Sequence, residues 1–172
     1  MRDRRLFFAL RPGPQVRSQL VQIQRACRQS RARLHRAENL HVTLAFLGMV
    51  DQQRYQAMCQ MASRLSEGAF TLELDHTGYW RRPGILWCAP TQTPAPLAAL
   101  VRHLWEGLER LGFEPEQHSY RPHVTLMRKA APVKQRQLDM PVVWPVSHFE
   151  LMCSHHREGA HHYETLNSWP LQ

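Results

Sequence analysis

The sequence predicts an α+β fold. It reads as two pseudo-symmetric lobes of mainly antiparallel sheet with flanking helices and a cleft between them. Two observations predict this. The periodic segments run strand, helix, strand, helix, strand, strand, helix, strand, strand, strand. The tetrapeptide His-x-Thr-Leu also occurs twice, as His41-Val42-Thr43-Leu44 and His123-Val124-Thr125-Leu126, nearly half the chain apart. Each copy sits in an apolar run of strand character. The 172 residues suit a single bilobal domain over 1–172.

Leu6 to Leu10 is an apolar run read as a buried strand. Pro12, Gly13 and Pro14 make a turn and a helix start. Val16, Leu20, Ile23 and Cys27 recur at helical spacing. Gln29 to Glu38 is a basic connector. Leu40 to Leu47 is the first motif strand, ended by Gly48. Asp51 caps a second helix with Tyr55, Met58, Met61, Ala62 and Leu65 on its apolar face, closed by Gly68. Phe70, Leu72 and Leu74 alternate with polar residues, as in a half-buried strand. A turn at 81–84 leads to a returning strand, Ile85 to Ala89. Pro94 to Leu111 carries six aliphatic residues in helical register and stops at Gly112. Pro122 to Met127 is the second motif strand. Lys129 to Pro145 holds three prolines and is expected to be loop. Phe149, Leu151 and Cys153 alternate in a strand. A turn at Glu158-Gly159 precedes a last strand from Tyr163 to Leu166.

In a strand, residues i and i+2 share a face. Each motif therefore presents an imidazole and a hydroxyl on one face and buries Val and Leu on the other. Two such copies can oppose two His/Thr pairs across the cleft. Histidine titrates near pH 6.5, so one neutral and one protonated imidazole supply a general base and a general acid. The threonine hydroxyls can hold the non-bridging oxygens of a phosphate ester. Such chemistry needs no metal and no cofactor. Arg128 follows His123 by five residues, an offset that puts it on the opposite face of a regular strand. A twist or strand end must turn it back if its guanidinium is to meet phosphate.

The formal charge is +8 and the pI is near 10.0, which favours polyanionic partners, RNA or DNA first. Cys27, Cys59, Cys88 and Cys153 form no Cys-x-x-Cys pair, so a zinc ribbon is not expected. Scattered free thiols fit a reducing cytosol. The N-terminal apolar run is too short for a signal-peptide core, and no stretch reaches the roughly 20 apolar residues that span a bilayer. The expected location is cytoplasmic, without membrane association, and the expected state is a monomer.

Three segments carry a family resemblance. They are Arg5-Leu6-Phe7-Phe8-Ala9, the ten residues from Asn39 to Gly48, and the eight from Arg121 to Arg128. Together they resemble the two-histidine (2H) phosphoesterase superfamily, and within it the bacterial RNA 2′,3′-cyclic phosphodiesterase (RNA 2′-5′ ligase) branch. The resemblance spans essentially the whole chain. It implies a bilobal α+β fold with a water-filled cleft and metal-independent opening of terminal 2′,3′-cyclic phosphates to 2′-phosphates. The same chemistry in reverse gives 2′-5′ ligation of RNA ends. It implies catalysis by His41 and His123, and phosphate binding by Thr43, Thr125 and Arg128. It also implies an aromatic residue, Phe7 or Phe8, packed near the base. Met49 departs from the acidic residue common after the first motif. A 2′-phosphate product requires the 3′ bond to break, so His41 protonating the 3′ oxygen and His123 activating water is one assignment; the sequence equally allows the reverse.

Other residues leave alternatives open. Tyr163 suits base stacking or core packing equally. His155, His156, His161 and His162 read more readily as a polar hairpin than as metal ligands. Trp80, Arg81 and Arg82 read as a solvated turn before an RNA contact, and Trp87 as core. Arg31, Arg33, His35 and Arg36 are placed to guide an RNA backbone. A non-catalytic RNA-end-binding protein, or a phosphodiesterase for another cyclic nucleotide, would carry the same motifs.

Overall fold

Nine strands form one sheet in the computed structural model, which describes residues 4–116, 118–157 and 160–172. The elements are β1 (Arg4–Leu10), α1 (Pro14–Ala26), β2 (Arg33–Leu34), a 3₁₀ turn (Ala37–Asn39), β3 (Val42–Val50), α2 (Gln52–Ala62), β4 (Phe70–Trp80), β5 (Ile85–Ala89), α3 (Ala95–Glu109), β6 (Val124–Arg128), β7 (Arg136–Val146), β8 (His148–Arg157) and β9 (Ala160–Pro170). The spatial order is β7-β4-β5-β6-β3-β1-β8-β9, with β2 added beside β6. All the strand pairs described are antiparallel.

The two motif strands β3 and β6 are the middle neighbours of this order, and they pair at one position, Val42 with Val124. Four strands of that order lie on each side of the seam, with β2 a ninth beside β6, so the fold is α+β and bilobal. The lobes are not contiguous halves of the chain. The C-terminal hairpin β8–β9 pairs onto β1 and completes the lobe of the first motif. Helices are exchanged as well. α1 lies between β1 and β3 in the chain yet packs on β6 and β7, whereas α3 connects β5 to β6 yet packs on β3 and α2. This exchange ties the lobes together where the backbone seam is one pair wide.

One face of the sheet and the helices enclose the main core, which includes Leu6, Phe8, Leu20, Leu44, Leu104 and Leu126. Phe8 is wholly buried against Phe149 and Trp169; burying a side chain of this size stabilises by about 1.5–3 kcal/mol. The opposite face carries a small cluster of Phe7, Ala9 and Met152, with Tyr163 packed on it. Alternation along β1 separates the two sets.

The segment 129–145 departs from the loop expectation, because residues 136–146 form β7. Val142, Trp144 and Val146 are buried at period two. The prolines are tolerated because β7 is an edge strand. Gly48 does not end β3 but lies inside it with φ +69°, beside the skipped residue Leu47. α2 ends at Ala62, before Gly68, while Asp51 caps its start by accepting from the Arg54 amide at 2.8 Å. The connector 29–38 supplies β2 and the start of the 3₁₀ turn. The expected turn at Glu158-Gly159 lies outside the described residues.

Candidate active site

Because Val42 faces Val124 in an antiparallel pair, Thr43 stands opposite His123 and His41 opposite Thr125. Val42, Leu44, Val124 and Leu126 are buried in the main core. The two histidines and two threonines therefore share the other face of the sheet, at the seam between the lobes. Opposite residues have Cβ atoms about 5 Å apart and diagonal ones about 7–8 Å apart. His41 and His123 are therefore a diagonal pair across the seam.

The two imidazoles are held in the same way. His41 Nδ1 donates to the carbonyl of Asn39 at 2.6 Å, and His123 Nδ1 donates to the carbonyl of Arg121 at 2.8 Å. Each accepting carbonyl is two residues upstream of its histidine. Holding the proton on Nδ1 leaves Nε2 of each neutral ring to exchange protons. His41 Nε2 meets the Thr43 hydroxyl at 3.0 Å. Burial is the main cause that pushes His41 down to about 4, with the charges of His123 and Arg128 adding to it against the opposing Asn39 hydrogen bond. Burial and Arg128 also lower His123. A phosphate anion would oppose both of these charge effects.

The odd offset of Arg128 is resolved by a bulge. Trp87 pairs with Thr125, but Leu86 pairs with Met127, so Leu126 is skipped. The extra residue restores Arg128 to the face of His123 and Thr125. The Leu126 carbonyl does not go unpaired: the His35 amide donates to it at 2.9 Å and the buried Gln24 side chain at 2.6 Å. Gln24 also donates to the His35 carbonyl at 2.7 Å. The first motif has the same device. Ala9 pairs with Thr43 and Phe8 with Ala45, skipping Leu44, so Phe46 takes the place that Arg128 has in the second motif. The Arg5 guanidinium lies 5.1 Å over the Phe46 ring and returns a cation to that position.

Aromatic rings flank both histidines. Phe7 and Tyr163 lie 5.0 Å and 5.2 Å from the His41 ring. Phe8, the other candidate of the first strand, points into the main core and away from the site. Trp80 lies 4.5 Å from the His123 ring, edge-on, and Trp87 lies 5.5 Å from Trp80. Trp87 is thus on the cleft face rather than in the core, and Trp80 belongs to the site rather than to a solvated turn. A cavity of about 700 Å³ reaches Thr43, Trp80 and His123, and a second of about 450 Å³ reaches Trp80, Trp87 and His123.

Asn39, buried and part of the motif segment, fixes the Tyr163 side. Its amide donates to the His161 carbonyl at 2.7 Å and its oxygen accepts from the Tyr163 amide at 3.3 Å. The Tyr120 hydroxyl donates to the Thr43 carbonyl at 3.1 Å. His35 stands 6.3 Å from His41 and is pushed down to about 3, first by burial and then by His41, Arg128 and His161. The histidine-rich segment is a hairpin, with His155 facing His162 and His156 facing His161 across it. His155 pairs with Glu164, and Arg36 donates to His162. The described residues form no cluster of three metal-ligating side chains.

Residues 12–158 match the family model of the 2′-5′ RNA ligase superfamily. The chain belongs to this superfamily. It is 32% identical over 173 residues to the RNA 2′,3′-cyclic phosphodiesterase of Escherichia coli (strain K12), covering 97% of this chain and 96% of that protein. Against the RNA 2′,3′-cyclic phosphodiesterase of Thermus thermophilus it is 30% identical, over 98% of this chain and 90% of the relative. The crystal structure of E. coli LigT complexed with 3′-AMP superposes with a TM-score of 0.92 at 31% identity, over 98% of both chains. In this member of the 2′-5′ RNA ligase superfamily, the paired His-x-Thr-Leu motifs lie where the fold joins its two lobes.

Proposed function

We propose that this protein is an RNA 2′,3′-cyclic phosphodiesterase that hydrolyses terminal 2′,3′-cyclic phosphates to 2′-phosphates, and that residues 1–172 form one catalytic domain. The matching Nδ1–carbonyl bonds of His41 and His123 carry this reading, since they leave Nε2 of each ring as its proton-exchanging atom, on diagonal positions of one sheet face. The relatives named above act on 2′,3′-cyclic phosphates by their names, and they cover nearly the whole chain.

In the proposed reaction His123 Nε2 takes a proton from water as the oxygen attacks phosphorus. The P–O3′ bond breaks, and His41 Nε2 gives its proton to the departing 3′ oxygen. Thr43, Thr125 and Arg128 hold the non-bridging oxygens, where charge is retained through the transition state. The ribose whose O3′ departs then lies on the His41 side, against Tyr163 and Phe7. Two imidazoles supply both proton transfers, so the scheme requires neither metal nor cofactor. With an alcohol in place of water, the same steps give a 2′-5′ linkage.

The partner is RNA or a nucleotide ending in a cyclic phosphate, in keeping with the +8 charge. A cytoplasmic location is proposed on the free cysteines, and a monomer is proposed with it; among the described residues no helix is long and apolar enough to cross a membrane. The deciding experiment incubates the protein with a nucleoside 2′,3′-cyclic phosphate and resolves the products by chromatography. Accumulation of the 2′-phosphate is expected. Tight binding of cyclic-phosphate RNA ends without turnover would instead identify a non-catalytic end-binding protein.

A further inference from the structure

Hydrolysis of a cyclic phosphate needs a seat for one nucleoside and a path for water. The cleft face of the sheet offers aromatic platforms on both sides of the histidine pair. Phe7 and Tyr163 flank His41. On the other side Trp87 pairs with Thr125, and so lies on the face of Thr125 and His123. Alternation along β4 and β5 puts Gly78 and Trp80 on that face too. Gly78 has a packing role here. A Cβ at residue 78 would come within 2.3 Å of the Trp87 ring, so only glycine lets this indole lie across β4. Trp80 and Trp87 then stand 5.5 Å apart beside His123 and line, with His76, Tyr120 and Arg121, a cavity of about 450 Å³. That volume falls within the range of about 300–1,000 Å³ usual for sites that hold small organic ligands. Water does not need an indole platform.

We propose that the Trp80–Trp87 platform is a second nucleoside subsite, which seats the nucleoside that brings an attacking 5′-hydroxyl to the phosphate. This rests on the cyclic phosphodiesterase reading above. In-line displacement requires the attacking and departing oxygens on opposite sides of phosphorus. The departing O3′ belongs to the nucleoside on the His41 side, so the entering oxygen arrives from the His123 side, where the indoles are. In the transfer, the O5′–phosphorus bond forms and the P–O3′ bond breaks. The 5′-hydroxyl proton passes to His123, and His41 donates its proton to O3′. The product is a 2′-5′ dinucleotide, with no other reactant consumed. Arg121, exposed at the cavity wall, is placed for a further phosphate of a longer acceptor strand.

The test gives the enzyme cytidine 2′,3′-cyclic phosphate with adenosine as acceptor, and measures the ratio of 2′-5′ cytidylyl-adenosine to 2′-CMP. This ratio is internal to each variant and so does not depend on total activity. Methanol, which cannot stack, serves as a second acceptor. Wild type is expected to form the dinucleotide with saturation in adenosine. Trp80→Ala is expected to lower the adenosine ratio about tenfold, as loss of one base-stacking partner does, and to leave the methanol ratio unchanged. Gly78→Ala, which keeps both indoles but displaces Trp87, is expected to lower the adenosine ratio in the same direction. Tyr163→Ala should raise KM for the cyclic nucleotide and spare the ratio. Equal adenosine ratios in wild type and Trp80→Ala would overturn the subsite. An equal drop with methanol would also overturn it, by showing that Trp80 acts through His123. Hydrolysis by wild type with no dinucleotide at saturating adenosine would sink the subsite alone, whereas no turnover of either kind would sink the phosphodiesterase reading beneath it.

Discussion

Val42 and Val124 face each other at the one position where the two motif strands pair, and that pairing brings His41 beside Thr125 and His123 beside Thr43. A seam one pair wide leaves the strands free to diverge on either side. The His/Thr quartet flanks that pair on the cleft face of the sheet. General acid and general base each contribute about 10²–10⁴-fold. His41→Ala and His123→Ala are therefore each expected to lower kcat by at least about a hundredfold with the thermal unfolding midpoint near wild type. Thr43→Val and Thr125→Val should cost about tenfold each, through lost hydrogen bonds to phosphate oxygens. Steady-state assays with a cyclic mononucleotide measure all four. Wild-type turnover in either histidine variant would remove that residue from the chemistry.

Gln24 reaches the site only through the backbone. Its side chain donates to the carbonyls of Leu126 and His35 and so supports the bulge that turns Arg128 into the cleft. Gln24→Leu keeps the volume but leaves buried carbonyls short of a donor, at a cost of about 1–3 kcal/mol. Inorganic phosphate should bind it more weakly, and kcat/KM should fall about tenfold. Arg128→Ala should give the same loss of phosphate affinity, and the double variant little more. Additive losses in that cycle would show that the bulge and the guanidinium act separately.

Much of this site was legible before any coordinates. The His-x-Thr-Leu repeat and period-two burial correctly put both histidines and both threonines on one face, and Val42, Leu44, Val124 and Leu126 beneath it. Arg128 was marked by its odd offset, but no residue type announces that Leu126 is the position skipped. The bulge follows from pairing with β5, which is a tertiary fact. Trp80 and Trp87 were missed for a related reason. Trp87, an apolar ring in an apolar strand, reads as core, and Trp80, beside Arg81 and Arg82, reads as a solvated turn; only the register of β4 and β5 with Thr125 reveals the cleft face. The exchange of α1 and α3 between lobes leaves no trace in helical periodicity. The strand β7 hid behind Pro141 and Pro145, although the alternation of Val142, Trp144 and Val146 was available to a reader prepared for an edge strand.

In the proposed reaction the depressed values of His41 and His123 set the pH profile. In the free enzyme both rings lie below the usual 6.5, His41 at about 4. The active state of that mechanism holds one proton on the pair. kcat/KM reports the free enzyme, so its bell should peak below pH 6.5 and fall as pH rises through the higher of the two values. Bound phosphate ester opposes the charges that depress both rings, so the kcat bell, which reports the complex, should peak at higher pH. Titration of the His41 and His123 ring signals by NMR, with and without inorganic phosphate, measures the same displacement directly. Identical bells for the two parameters would contradict the assigned electrostatics.

His35 should govern acid stability more than catalysis. Burial, together with His41, Arg128 and His161, holds its ring neutral down to about 3. Its value is thus lower in the folded chain than the 6.5 expected when unfolded, so the unfolded chain binds the proton more readily. The sign is then fixed: stability from this group is unaffected above pH 6.5 and declines as pH falls from 6.5 toward 3. Each pH unit in that window costs up to about 1.4 kcal/mol for a ring held fully neutral. His41 adds to the loss until it too protonates near 4. His35→Gln, which cannot take a proton, should flatten the fall in unfolding midpoint between pH 7 and pH 5 by roughly 2–4 °C per kcal/mol recovered. Calorimetry of wild type and variant across that range measures it. An unchanged slope in the variant would mean that His35 is already solvated and titrates like a free histidine.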